Sequence, residues 1–151
     1  MPDLIIPQPI LDDLVTHARE LDPYECCGFL AGTGQTVSQI YRIKNVVSLD
    51  GAPQAASFDE AKVQQLSRLS PEERAEIAFI MDAQEMFHAV KDMRKNSLTL
   101  QVVYHSHPHD PARPSVTDIK IADEWEENWS RLNLTLPVYL LAVGTTSSCR
   151  E

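Results

Sequence analysis

The sequence predicts a mixed α and β domain with antiparallel neighbours, either α+β or a three-layer arrangement. Short apolar, β-branched runs alternate with longer stretches whose apolar residues recur at helical spacing. Two of the runs also follow one another across a glycine turn, the pattern of paired antiparallel neighbours. The 151 residues suit one domain spanning 1–151, and a hydrophobic content of 43% suffices for a core without disulfide staples.

Each element has a local reason. Pro9 to Leu21 carries Ile10, Leu11, Leu14, Val15, Ala18 and Leu21 at helical spacing. Asp22-Pro23 ends that helix, because a residue before proline avoids the helical region. Cys27 to Ala31 reads as a buried strand, Gly32-Thr33-Gly34 as a turn, and Val37 to Val47 as a second strand completing a hairpin. Asp50 to Ala56 reads as a loop and Phe58 to Leu69 as a helix. Ser70-Pro71-Glu72-Glu73 opens another helix, with a serine cap, an early proline and an acid three residues on. A short strand is expected at Ile77 to Met81 and a helix at Asp82 to Lys95, whose stripe is Met86, Phe87, Val90 and Met93. Leu98 to Tyr104 reads as a strand and Ser106 to Pro114, with three prolines, as a stiff loop. Ser115 opens a helix to about Leu132, and Leu136 to Val143 is the last strand.

Bulk properties narrow the function. A net charge of -9 repels phosphate backbones and argues against nucleic acid. The apolar runs are too short to span a bilayer, and no charged-then-apolar leader opens the chain. Three cysteines, Cys26, Cys27 and Cys149, make a poor disulfide framework, so a reducing cytoplasm is the simplest location.

The informative stretch is His105-Ser106-His107-Pro108-His109-Asp110-Pro111-Ala112-Arg113-Pro114-Ser115-Val116-Thr117-Asp118. His105 and His107 close a predicted strand, where residues two apart point to one side and two imidazoles can share an ion. Asp118 falls in the first turn of the next helix, held by a stiff loop. Two nitrogens and one carboxylate oxygen are the three protein ligands a catalytic zinc wants, with water fourth. That water needs a base, and Glu25, an acid just before an apolar strand, is the candidate. Ser115 is a candidate donor to a developing oxyanion. Plainer readings stand beside these: two hydrogen-bonded surface histidines, a Ser115–Asp118 helix cap, and Glu25 as a solvated turn residue.

The same residues carry a family resemblance. His105-Ser106-His107-Pro108, six residues, then Ser115-x-x-Asp118 resembles the JAMM motif of the MPN (Mov34/PAD-1) metallopeptidases. Pro23-Tyr24-Glu25-Cys26-Cys27-Gly28-Phe29-Leu30-Ala31-Gly32 is similar to that family's glutamate segment, and Pro111-Ala112-Arg113-Pro114-Ser115 to its short prokaryotic members. The resemblance implies a curved, largely antiparallel sheet between helices in the cytidine-deaminase-like style. It implies one zinc per chain on His105, His107 and Asp118, Glu25 as general acid/base, and Ser115 steadying the tetrahedral intermediate. It further implies an isopeptidase or peptidase, deubiquitinase-like, acting at the C-terminal tail of a ubiquitin-like or sulfur-carrier protein of the β-grasp type. The alternatives are a non-catalytic MPN scaffold subunit and a zinc hydrolase of small amide conjugates.

Two departures from the family pattern bear on partners. The segment at about 50–78 reads as an insertion, either a surface loop or a flap that grips the substrate. The chain ends at Glu151, where relatives often add strands, and an edge left unpaired there invites a homodimer. Elsewhere, His109, His17 and His88 read as solvent-facing, Cys27 as a buried small side chain and Cys26 as the more exposed thiol. Trp125 and Trp129, four apart, read as core or interface, and the acids among residues 123–127 as a solvated helix face.

Overall fold

In the computed structural model, the structure describes residues 4–47, 64–65, 68–108 and 139–144. Their order is α1 (Gln8–Leu21), β1 (Cys27–Thr33), β2 (Thr36–Ile43), α2 (Pro71–Ile77), α3 (Ala83–Lys95), β3 (Thr99–His107) and β4 (Tyr139–Gly144). The four strands form one sheet in the order β2-β1-β3-β4. β1 pairs antiparallel with β2 and with β3, while β4 runs parallel to β3.

The sheet is the middle of three layers, one of the two arrangements expected and the one the family resemblance implies. On one face α1 sets Leu14 and Ala18 against Cys26, Leu30, Val37, Val102 and Tyr104. On the other, α3 sets Ala89 and Met93 against Cys27, Phe29, Ala31, Leu100 and Val103. Burying a leucine as fully as Leu14 stabilises by about 1.5–3 kcal/mol relative to leaving it exposed. Adjacent strand residues thus serve different layers, so a slip of one position would exchange the two cores.

Local chemistry fixes the ends. The β1–β2 turn places Gly34 at a positive φ of 60°, where a Cβ is costly. The capping box expected at Ser70 is present: Glu73 N donates to Ser70 Oγ (3.2 Å) and Ser70 N to Glu73 Oε1 (3.1 Å). Asp82 caps α3 by accepting from Gln84 N (2.8 Å) and Glu85 N (3.2 Å).

Several boundaries differ from expectation for identifiable reasons. β2 ends at Ile43 rather than Val47, because the chain then turns to meet residues 78–82. The strand expected at Ile77 to Met81 is reduced to one antiparallel bridge, Asn45 with Met81. β3 runs on through His107, since Ser106 N donates to Cys26 O (3.0 Å) and β4 pairs as far as His107. Of the helix expected at Phe58 to Leu69, the described Gln64 and Gln65 are helical and residues 58–63 and 66–67 lie outside the described residues. The helix from Ser115, with Trp125 and Trp129, also lies outside them, as do residues 136–138 of the last strand.

Candidate metal and active site

Strand register builds the site. Cys27 of β1 lies opposite Ile43 of β2 on one side and His105 of β3 on the other. The residues just before Cys27 therefore come level with the end of β3. Glu25, His105 and His107 are all buried, and one ligand atom from each lies within 4.8 Å of the others. The two histidine Nε2 atoms are 2.9 Å apart. Phe79 backs the pair, its ring stacked on His105 with centroids 4.8 Å apart and planes 23° from parallel.

Glu25 is fixed through its own peptide. Its N–H donates to Ala75 O at the end of α2 (2.7 Å), and its carbonyl accepts from Asn45 Nδ2 (3.0 Å). The reading of Glu25 as a solvated turn residue is excluded by its 6% exposure.

The opposite face of β3 holds polar groups that are spent on each other. Ser106 Oγ accepts from Cys26 N (2.8 Å), extending the β1–β3 ladder past the strand's end. Cys26 itself is buried beneath α1, against the expectation of exposure, and its thiol is pushed up to about 11, mainly by burial. Cys27 is buried as expected; its thiol donates to Ile43 O (3.4 Å), and burial raises it far beyond the ordinary thiol range. Neither cysteine is a ready nucleophile.

His17 corrects a sequence expectation. It is 6% exposed, and its Nδ1 lies 2.8 Å from the Tyr104 hydroxyl. Burial first, and the nearby Arg42 second, hold its pKa below the ordinary histidine value. Burial raises Tyr104. The hydrogen bond thus joins a neutral imidazole to a protonated phenol, with its direction set by the imidazole tautomer. Gly28 makes room for this pair, since a Cβ there would lie 2.5 Å from the Tyr104 hydroxyl and would also strike Tyr41 O. The signal for burial was present: His17 falls on the stripe of Leu14, Ala18 and Leu21. His88 is exposed as expected.

The donor set suits zinc. Tetrahedral Zn–N bonds of about 2.0–2.1 Å put two imidazole nitrogens roughly 3.3 Å apart. The observed 2.9 Å needs only a slight separation of the rings. Ser115 and Asp118, the remaining expected site residues, lie outside the described residues, as does His109.

A cavity of about 710 Å³ adjoins the site and is lined by Glu25 together with His17, Tyr24, Arg42, Asn45 and Ala75, among others. Neither His105 nor His107 lines it, so among the described residues it meets the site through Glu25 alone.

Comparison with known proteins decides the family. A model described as prokaryotic homologs of the JAB domain matches residues 7–150. The chain belongs to the prokaryotic JAB family. Among curated proteins it is 27% identical over 121 residues to a CysO-cysteine peptidase of Mycobacterium tuberculosis, covering 80% of this chain and 66% of that one. It is 42% identical over 45 residues to a probable TtuB-protein conjugate cleaving protease of Thermus thermophilus, covering 30% of each. Among solved structures, protein DSY2949 of Desulfitobacterium hafniense matches with TM-score 0.53 and 32% identity, covering 79% of this chain and 66% of that one. The chain thus spans just under two thirds of the length of the CysO-cysteine peptidase. Within the JAB family, both curated relatives are named as proteolytic enzymes.

Proposed function

We propose that this JAB protein is a zinc-dependent, JAMM-type hydrolase that cleaves an isopeptide or peptide bond at the C-terminal tail of a ubiquitin-like or sulfur-carrier protein. The observation that carries the proposal is the convergence of Glu25 with His105 and His107, buried together at the end of one sheet. These are residues from the two separated motifs that carry the family resemblance. The names of the relatives, which act on CysO-cysteine and on TtuB conjugates, supply the substrate class.

His105, His107 and Asp118 would hold the ion. Zinc bound there would polarise the scissile carbonyl and bring its water's pKa toward neutrality. The chain's own residues do the rest. Glu25 takes the proton of the attacking water and returns it to the leaving nitrogen as the C–N bond breaks, giving a carboxylate and a free amine. Ser115 donates to the oxyanion. The low-dielectric surroundings given by Phe79 and the buried strands strengthen the interactions of Glu25, His105 and His107. A glycine tail, without side chains, would approach extended.

A second reading, hydrolysis of small amide conjugates, draws on the cavity beside Glu25, whose size lies within the roughly 300–1,000 Å³ of small-molecule sites. The segment at about 50–78 is proposed as a surface insertion, with a flap that grips a protein tail as the alternative. A cytoplasmic location and a homodimer remain proposals as well. Among the described residues, no helix is long and apolar enough to cross a membrane.

The test is metal content per chain in freshly purified protein, beside His107→Ala and Asp118→Ala. The expected result is close to one zinc per chain in the unsubstituted protein and clear loss in both variants. No metal, and no uptake of added zinc, would overturn the catalytic reading and leave a scaffold. Turnover of a β-grasp protein extended by one residue beyond its C-terminal diglycine, set against a short amide of the same sequence, then separates the two substrate readings.

A further inference from the structure

Asn45 uses its whole hydrogen-bonding capacity on the backbone of the segments around the site. Its Nδ2 donates to Glu25 O (3.0 Å) and to Ala78 O (3.0 Å). Its Oδ1 accepts from Val47 N (3.1 Å) and from Ile80 N (3.0 Å). A primary amide has two donor hydrogens and two acceptor lone pairs, and all four are engaged. The residues it joins matter for the chemistry. Glu25 is the proposed base, and Ala78 and Ile80 flank Phe79, whose ring lies on His105.

The backbone around Asn45 already ties residues 44–46 to residues 80–82: Val46 N donates to Ile80 O (2.8 Å) and Asp82 N to Lys44 O (2.9 Å). The side chain adds the link between that pair of segments and Glu25. The Glu25 peptide is thus gripped twice, by Ala75 O on its N–H and by Asn45 on its carbonyl.

We propose that Asn45 is a positioning residue, a four-way clasp that sets Glu25 against the Phe79-backed His105. The proposal rests on the reading of Glu25 as the base beside a metal held by the two histidines. No other side chain fits the place: aspartate keeps the two acceptor bonds and loses both donors, alanine loses all four, and glutamine is one methylene too long.

The experiment compares Asn45→Asp and Asn45→Ala with Val37→Ala, a buried control at the far end of the sheet. Three readouts are taken on each full-length variant. They are hydrogen exchange at the Glu25 amide, zinc affinity by competition with a chromophoric chelator, and kcat and KM on a β-grasp protein extended by one residue beyond its diglycine. Removing a supporting hydrogen bond around a metal site weakens affinity or activity by about 10–100-fold. The expected result for both Asn45 variants is a loss of that size in kcat, with KM within a few-fold. Faster Glu25 exchange should accompany it, although Ala75, the acceptor of that amide, is untouched. Asn45→Asp should keep protection at Val47 and Ile80, which shows that the fold survives. If the Asn45 variants match Val37→Ala in all three readouts at equal thermal stability, Asn45 is a fold residue only and the proposal fails. Glu25→Gln runs alongside: unchanged kcat there would remove the base assignment, an outcome separate from failure of the clasp.

Discussion

The two faces of β3 differ in what they do with polar groups. Toward α1, Tyr104 and Ser106 are paired with His17 and with the Cys26 backbone, so each buried polar atom has a structural use. Toward Phe79, His105 and His107 sit one strand repeat away and converge with Glu25. Four consecutive residues, 104 to 107, thus alternate between holding the fold and facing the proposed metal site. The lesson is that the fold-holding face makes the other face affordable: a strand pinned by Tyr104 and Ser106 can keep two imidazoles at 2.9 Å.

The largest effect should come from the chemical face. Glu25→Gln keeps the shape of the side chain and removes the proton acceptor. Turnover on the extended β-grasp substrate should fall by about 10²–10⁴-fold while zinc content is unchanged. A loss of zinc together with activity would mean that Glu25 ligates the ion and does not act as base, and the division of roles on that face would have to be redrawn.

The fold-holding face should answer in stability instead. Tyr104→Phe leaves His17 Nδ1 buried without its partner, which should cost about 1–3 kcal/mol in a urea unfolding experiment. Zinc uptake by the variant should stay intact. If metal binding falls as sharply as stability, the two faces are not separable.

How much of this was legible beforehand follows the same division. The His105–His107 pair was readable because a strand has a period of two, and the Ser70 cap because its signal is contained in four residues. That α1 and α3 each bury one side was readable from helical spacing, but the stripe expected on α3 was only half right: Met93 is buried, whereas Phe87 is 65% exposed and Ala89 takes its place in the core. The approach of Glu25 to His105 was not, because it depends on the register of Cys27 against His105, a pairing between segments far apart in the chain. Family resemblance supplied what local pattern could not. His17 was misread for a different reason: its polarity outweighed its position on the buried stripe. Asn45 gave no signal at all, because four bonds to backbone depend on where the chain passes and not on which residues it carries. Cys26 was misplaced because its burial comes from α1 packing over the sheet, a long-range contact that local pattern does not carry.

The smallest predicted effect concerns the charges around the fold-holding face, and its sign follows from His17. Burial and Arg42 hold its pKa below the ordinary value, while Glu20 and Asp13 act the other way. A histidine depressed in the folded state binds fewer protons there than in the unfolded chain. Its neutral form therefore contributes stability that is fully present above the unfolded pKa of about 6.5 and is lost as pH falls below it toward the depressed folded value. Between pH 7.5 and 5 the protein should lose more stability than His17→Gln, at no more than about 1.4 kcal/mol per pH unit. Every other titratable group is common to both proteins, so the difference isolates His17. Arg42 provides the finer test. It bridges Asp13 (2.5 Å) and Glu20 (2.9 Å), all three side chains being more than a third exposed, so the ion pairs themselves contribute only about 0–1 kcal/mol. Arg42→Gln removes the charge that lowers His17 and frees the two acids that raise it. The acid-side loss should become shallower in this variant, and added salt should narrow its difference from the parent. An unchanged slope would assign the depression of His17 to burial alone, and would leave Arg42 as a surface brace between α1 and β2.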